Sequence, residues 1–179
     1  MAIKLVLKRQ DPKSKQYFLS EKKYLLKTLD RKIILGIFHF GSTAIPAISG
    51  KGFVDTYLIL RRKKDIPKVL NRILSLTDYA KPKIGGTAER IFLWRKRKIG
   101  RKNVTFHLHV SWKSAKEWKD AVIFTEYCLK HPEVAKEYEG LKYEWAEQTR
   151  WIRPKYKRKK TEWIKSIIKK AKSEKSWKS

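Results

Sequence analysis

The chain has 179 residues, 41% of them hydrophobic and 35% charged, which predicts one globular domain over residues 1–179 and excludes a disordered chain. Its formal net charge of +28 favours a nucleotide, RNA or another polyanion as partner. Lysine richness also accompanies adaptation to heat, although glutamate then usually increases as well. Cys128 is the only cysteine, so an intrachain disulfide is excluded. The lack of a leader pattern or a membrane-length apolar run predicts a cytoplasmic protein without a membrane partner.

Apolar patterns in the first half of the chain predict three strands and two helices. The run at residues 33–40 is continuously apolar, which is typical of a central strand buried on both faces. A loop is predicted at residues 79–87, where proline and glycine interrupt the pattern. The other elements are an edge strand at 3–8, a helix at 12–29, a strand at 53–60 and a helix that begins near Pro67.

A hairpin is predicted next, with strands at residues 90–97 and 104–112 joined by a basic turn at 98–103. The second strand alternates between apolar and polar residues. Side chains two apart on a strand point to the same face, so His107 and His109 lie together on its polar face.

Three helices are predicted after the hairpin. The first begins at a capping-box pair, Ser114 and Glu117, and the second has Pro132 at its first helical position. The last is amphipathic and includes residues 163–171. Residues 172–179 are predicted to be a frayed tail.

A glycine-serine turn between two predicted strands is the most informative local pattern. Gly41, Ser42 and Thr43 are candidate phosphate-binding residues, because glycine lets backbone N–H groups approach a phosphate closely. Lys51 follows, either to neutralise phosphate charge or as a solvated side chain. Asp55, on the next strand, is the candidate catalytic residue and a ligand for a divalent ion, Mg²⁺ or Mn²⁺. The simpler alternative is an ordinary turn followed by a polar strand residue.

Two basic segments are candidates for nucleic-acid contact. One surrounds the hairpin turn, and the other is residues 150–160, where cations alternate with aromatic rings. Rings stack on bases while cations follow the phosphates of RNA or single strands. The alternative is a solvated charged face. The candidate contacts are Arg95, Arg97, Arg101, Lys102, Trp151, Arg153, Lys157 and Arg158.

Further motifs occur along nearly the whole chain and together carry a family resemblance. They are Asp11-Pro12, His39-Phe40-Gly41-Ser42-Thr43-Ala44-Ile45-Pro46, Lys51 with Asp55, His107-Leu108-His109-Val110, Phe124-Thr125-Glu126-Tyr127, His131-Pro132-Glu133, Tyr138 with Leu141-Lys142, and Tyr156 with Lys160. In this order and spacing, residues 3–168 resemble the GrpB-like family of the nucleotidyltransferase superfamily. The same domain is also found fused to some dephospho-CoA kinases.

The resemblance implies an α/β (α+β) fold with a mixed β-sheet flanked by helices, a helical C-terminal part, and an NTP as substrate. The glycine-serine turn is expected to face the carboxylate strand across a cleft, with Lys51 directed to phosphate. Active members of the superfamily use an Asp-x-Asp pair to hold two metal ions for phosphoryl displacement. GrpB-like members typically have Asp-Ile-Asp, whereas this chain has Asp55-Thr56-Tyr57. A neutral phenol is a poor ligand for magnesium, so one carboxylate stands where the family has two.

The paired histidines are expected near the superfamily's third acid. With Asp55, His107 and His109 form a ligand set suited to manganese or zinc. The alternative is that they hydrogen-bond to backbone and substrate phosphate. His39 is predicted to be a buried support for the turn.

Two functional hypotheses follow. The first is a metal-dependent enzyme that transfers a nucleotidyl group from an NTP to an unknown acceptor. The second is a nucleotide- or RNA-binding protein on the same fold, in which Tyr57 has replaced the second carboxylate and catalysis is impaired. A weaker third hypothesis, from the fusion alone, is an accessory role in coenzyme A metabolism.

Overall fold

A four-stranded mixed sheet forms the centre of the protein in the computed structural model, which describes residues 4–83 and 85–174. The strands are β1 (Ile34–Phe40), β2 (Phe53–Leu60), β3 (Ile91–Ile99) and β4 (Lys102–Trp112). They lie in the order β1-β2-β4-β3. β2 and β4 are parallel neighbours, and each has an antiparallel strand on its other side. The predicted mixed sheet is therefore confirmed.

Five helices accompany the sheet: α1 (Ser14–Thr28), α2 (Ile66–Leu76), α3 (Glu117–Lys130), α4 (Pro132–Gln148) and α5 (Arg153–Ser173). Helices α1 and α2 cover one face of the sheet, where alternate residues of β2 and β4, such as Leu58 and Phe106, are fully buried. Helices α3, α4 and α5 form a second apolar cluster with Leu5, Ile45 and Ile48. None of the helices among the described residues is long and apolar enough to cross a membrane.

The hairpin and the alternation of its second strand are confirmed, with a tighter turn than predicted. β3 and β4 are joined only by Gly100 and Arg101, and Gly100 has a φ of 58°. The apolar face of β4 enters the core below α1 and α2. Its polar face, with His107 and His109, is left for the opposite side of the sheet. This division of faces positions the site.

Two strand predictions are wrong. The apolar run at residues 33–40 supplies an edge strand, β1, rather than a central one. It is apolar because helices pack on both of its faces: Phe38 stacks on Trp118 of α3, and His39 stacks on Phe18 of α1. Lys4 and Lys8 make only isolated bridges, to Ile152 and Gly50. The N-terminal segment thus packs beside the helical part instead of extending the sheet, and Met1 to Ile3 lie outside the described residues.

Two helix starts also differ from prediction. The capping box at Ser114 does not form: instead Glu89, from the loop before β3, accepts hydrogen bonds from the N–H groups of Lys116 and Glu117 at 2.8 and 3.0 Å. The basic segment after residue 150 was not predicted as a helix, yet α5 begins at Arg153 with Pro154 in its first turn. It continues to Ser173, so the predicted tail is helical there, and residues 175–179 lie outside the described part.

Candidate functional site

A carboxylate and two imidazoles meet on the face of β2 and β4 that lies opposite α1 and α2. Asp55 is the register partner of His107, and Tyr57 is the partner of His109. Nδ1 of His107 lies 3.1 Å from Oδ1 of Asp55, and Nε2 of His109 lies 3.8 Å from the same oxygen. The ligand atoms of these three residues all lie within 4.8 Å of one another. The structure thus brings Asp55 and both histidines together.

Asp55 is held in its charged form. Burial by itself would raise its pKa, but the hydrogen bonds from His107 and His109 outweigh this and the pKa falls well below the usual value. His109 is buried, which lowers its pKa and keeps the ring neutral. Asp55 thus places a negative charge beside the neutral ring of His109.

Arg90 fixes the tautomer of His109. Its Nη1 lies 2.8 Å from Nδ1 of His109. A guanidinium only donates, so Nδ1 accepts and the ring proton resides on Nε2, on the side of Asp55. Arg90 is itself paired with Glu117 of α3 at 3.2 Å. Arg90 lies just before β3 and belongs to no recognisable motif, so the sequence alone did not indicate it.

Tyr57 occupies the position of the second carboxylate but packs as an aromatic residue. It is 3% exposed, and its ring lies 4.4 Å from that of Phe40 and 5.3 Å from that of His109, measured between centroids. Burial raises its pKa to about 12, so the phenol stays neutral at physiological pH. It supplies no charge to a cation.

These residues fit one divalent ion better than two. A carboxylate and two imidazoles are the donor types of a manganese or zinc site, and the three converge closely. A pair of magnesium ions would require more carboxylates, and Asp55 is the only acidic residue among the lining residues of the cleft. For His109 to bind an ion through Nε2, Arg90 would have to release Nδ1.

The predicted turn approaches the carboxylate as expected. Gly41 has a φ of 74°, and a Cβ at this position would lie 3.0 Å from Oδ2 of Asp55. Glycine therefore serves both the backbone conformation and the contact. Ser42 packs under Gly50, where a Cβ would collide with the serine Oγ. Gly41, Ser42 and Lys51 all line the cleft with Asp55.

Thr43 supports the turn from the other side and does not line this cleft. Its hydroxyl donates to the carbonyl of Phe53 at 3.0 Å and accepts from Nε2 of His39 at 3.1 Å. His39 also stacks on Phe18, and burial lowers its pKa to about 4, so it is neutral. The predicted supporting role of His39 is confirmed, and Thr43 belongs to the same support.

The cleft above this site has a volume of about 520 Å³ and is strongly basic. It lies between the sheet, the turn and helices α4 and α5. The cationic side chains that line it are Lys51, Arg90, Lys142, Arg153, Lys157 and Lys160. Against these six, Asp55 provides one negative charge, so the cleft is suited to a polyanion.

Three lysines that line the cleft have lowered pKa values, although only Lys142 is buried, Lys160 is half-buried and Lys51 is exposed. Burial, reinforced by Arg153 and Lys160, lowers the pKa of Lys51 to about 8. Burial also lowers the pKa of Lys142 to about 8, although Glu139 opposes the shift. Burial also lowers the pKa of Lys160, although the nearby charge of Asp55 opposes the shift. A bound anion would reverse these shifts.

Helix α5 brings part of the predicted nucleic-acid segment into the cleft. Arg153, Lys157 and Lys160 lie three and four residues apart, so they share one helix face, and that face lines the cleft. Trp151 and Arg158 lie outside it; the indole of Trp151 donates to Glu147 at 3.0 Å. One predicted segment is thus divided between two environments.

Arg95 is not a nucleic-acid contact, and that prediction is wrong. Its side chain is 3% exposed and pairs with Glu21 of α1 and with Asp78 at 2.6 Å. The guanidinium also lies over the ring of Tyr24, 4.3 Å from its centroid. It points into the core because β3 alternates, and Arg95 falls on the face covered by α1.

The other candidates near the hairpin turn stay outside the cleft. Arg101 and Lys102 are exposed, Arg97 is partly buried, and Lys102 pairs with Asp11 at 2.7 Å.

Two residues that line the cleft, Lys142 and Lys160, belong to motifs of the family resemblance, but no pattern in the sequence assigned them a role. Lys142 follows Tyr138 by four residues on α4, so helical spacing could have placed both on one face.

Comparisons with known proteins agree with the motifs. The family model described as GrpB protein matches residues 4–170. The UPF0157 protein YqkA of Bacillus subtilis (strain 168) is 30% identical over 152 residues, which cover 85% of this chain and 43% of that protein. The chain therefore spans less than half the length of this relative.

Two further proteins named GrpB are similar over most of their length. The glutamate-rich protein GrpB of Alkalihalophilus pseudofirmus is 28% identical over 151 residues, or 83% of this chain and 85% of that protein. The crystal structure of the conserved protein GrpB from Enterococcus faecalis has a TM-score of 0.75 and 24% identity, covering 97% of this chain and 100% of that one. The latter is a likeness of fold.

Proposed function

The chain belongs to the GrpB family, and we propose that its basic cleft binds the phosphates of a nucleotide. The observation that carries this proposal is the convergence of six cationic side chains and the Gly41-Ser42 turn on one cavity of about 520 Å³. Charge-assisted hydrogen bonds from lysine and arginine are the strong contacts of phosphate sites. The aromatic rings of Phe53 and Phe92 line the same cavity and offer a surface for a base.

Metal-dependent nucleotidyl transfer from an NTP is a second candidate. The observation that favours it is the close grouping of Asp55, His107 and His109, which would hold a single divalent ion. Such an ion would stabilise charge on the transferring phosphate. Label from an α-labelled NTP should then reach an acceptor such as RNA, and Asp55→Ala should abolish that transfer.

The binding proposal is tested with paired charge variants on α5. Arg153→Gln/Lys157→Gln removes two cations that line the cleft, and Lys165→Gln/Lys169→Gln removes two exposed cations of the same helix. Titration calorimetry with ATP and UTP at fixed ionic strength should show at least tenfold weaker binding for the first variant only. An equal loss in both would indicate a nonspecific charge effect and contradict the proposal.

A further inference from the structure

Lys142 is a buried cation without a hydrogen bond of its own. Its side chain, on α4, is 3% exposed, and its Nζ has no hydrogen-bond partner among the described residues. The nearest carboxylate oxygen belongs to Glu139, at 3.6 Å. Glu139 is engaged elsewhere, because it accepts from the N–H of Ser49 at 2.8 Å. An ammonium buried in this way is costly unless an anion completes its contacts.

Lys142 lines the cleft together with Lys51, which is exposed, and Lys160, which is half-buried. The charge of Lys160, from α5, is close enough to lower the pKa values of both Lys142 and Lys51. Three cations from α4, α5 and the loop before β2 therefore repel one another around one cavity. This arrangement provides the positive charge that a polyphosphate requires before any metal ion is added.

The same cleft is unfavourable to a divalent cation. Asp55 is its only carboxylate and is already hydrogen-bonded to His107, while Arg90 occupies Nδ1 of His109. Tyr57 is buried and neutral. Six surrounding cations would repel an incoming Mg²⁺.

We infer, building on the proposed function, that Lys51, Lys142 and Lys160 take the place of metal ions in this cleft. The site then binds a nucleoside triphosphate or another linear polyphosphate without a divalent metal. Saturating Mg²⁺ weakens this binding, because it cancels phosphate charge that the lysines contact. Lys142 contributes the most specific contact, since its buried ammonium has only the ion pair with Glu139 at 3.6 Å and no hydrogen bond among the described residues.

The test is titration calorimetry with inorganic tripolyphosphate and with ATP, each in EDTA and then in excess Mg²⁺ at constant ionic strength. Both ligands should bind in EDTA, and both should bind more weakly with Mg²⁺. Lys142→Met should weaken binding by about tenfold to a hundredfold, as expected for a lost charge-assisted hydrogen bond. Lys136→Met, an exposed lysine on the same helix, should retain the affinity within about twofold. Asp55→Asn should bind more tightly, because it removes the one repelling charge.

The outcomes separate this inference from the proposed function. Binding that requires Mg²⁺ or Mn²⁺ and disappears in Asp55→Asn would overturn the inference and leave nucleotide binding intact. Binding of tripolyphosphate but of no nucleotide would support the inference and overturn the proposed function. No binding of either ligand, with circular dichroism showing a folded protein, would overturn both.

Discussion

Nη1 of Arg90 lies 2.8 Å from Nδ1 of His109, and this contact determines what the polar face of the sheet can bind. It places the imidazole proton on Nε2, which faces Asp55, and it adds a fixed positive charge beside the candidate metal ligands. The contact depends on a loop residue that meets β4 only through folding. It therefore links the loop before β3 to the electrostatics of the site.

Removing Arg90 should convert this face into a better metal site. In Arg90→Met, His109 is free to adopt the tautomer that binds through Nε2, and one repelling charge is gone. We expect Zn²⁺ or Mn²⁺ to bind about tenfold more tightly or better, which corresponds to about 1.4 kcal/mol. Titration calorimetry of the metal alone measures this, with Arg97→Met as the charge-matched control. An unchanged affinity would contradict the role given to Arg90.

Lys142→Met should make the protein more stable at pH 7. The folded pKa of Lys142 is about 8, below its usual value of 10.5, so its buried charge destabilises the fold fully below about pH 8. That cost declines as the pH rises from about 8 to 10.5, because the unfolded chain then binds more protons. Methionine has a similar shape and no charge, so urea unfolding should show a gain of about 1 kcal/mol or more at pH 7.

The pH dependence provides the control for this variant. The wild-type protein and Lys136→Met should both gain stability between pH 8 and 10, while Lys142→Met should gain less. Equal slopes for all three proteins would show that Lys142 is not the source of the titration. Lys51 and Lys142 lose their charge as the pH rises through about 8, so the affinity for polyphosphate should fall over the same range.

Arg95→Met should strongly destabilise the protein without affecting the cleft. Glu21 is fully buried, and the substitution removes its cationic partner. Breaking a buried ion pair from one side costs about 3–5 kcal/mol. Urea unfolding should show this loss, whereas Lys98→Met, exposed on the same strand, should change stability by less than about 0.5 kcal/mol. A small effect of Arg95→Met would contradict the stabilising role given to this ion pair.

Gly41→Ala should disturb the turn more than its backbone conformation alone explains. Gly41 and Gly100 both have positive φ, but only at Gly41 would a Cβ meet a neighbour, Oδ2 of Asp55 at 3.0 Å. Gly100→Ala should cost about 1 kcal/mol for its left-handed conformation. Gly41→Ala should cost about 1–3 kcal/mol and also weaken ATP binding. Equal effects of the two substitutions would show that the contact with Asp55 is unimportant.

RNA binding, if it occurs, should depend on charges outside the cleft and respond steeply to salt. Outside the cleft, the predicted contacts are Arg97, Arg101, Lys102, Trp151 and Arg158. Each phosphate contact removed should reduce the slope of log affinity against log salt by about 0.7 for a single strand. Filter binding of a single-stranded RNA to Arg101→Gln/Arg158→Gln, over a salt series, measures this slope. A slope equal to that of the wild-type protein would exclude these two residues.

The sequence predicted the elements that depend on local patterns. β2, the hairpin and helices α1 to α4 follow from apolar periodicity and from proline at helix starts, and these signals act within about one turn or one strand pair. The grouping of His107 with His109 follows from the two-residue repeat of a strand. Gly41 and Asp55 were identified by their motif and by the family resemblance it carries.

Only the tertiary structure decided which of the basic residues share a cavity. Arg95, Arg97, Lys157 and Lys160 look alike as sequence, yet Arg95 is in the core, Arg97 is near the hairpin turn, and the two lysines line the cleft. These environments depend on which helix packs on which face, and long-range packing leaves no periodic signal in the chain.

The same reason explains the residues that were missed. Arg90, Lys142 and Lys160 line the same cleft as Asp55, from a loop and two helices that are distant in sequence. The sequence determined the total charge and one carboxylate on a strand. Folding decided that this carboxylate is surrounded by cations, because desolvation and charge repulsion depend on three-dimensional distance rather than on order along the chain.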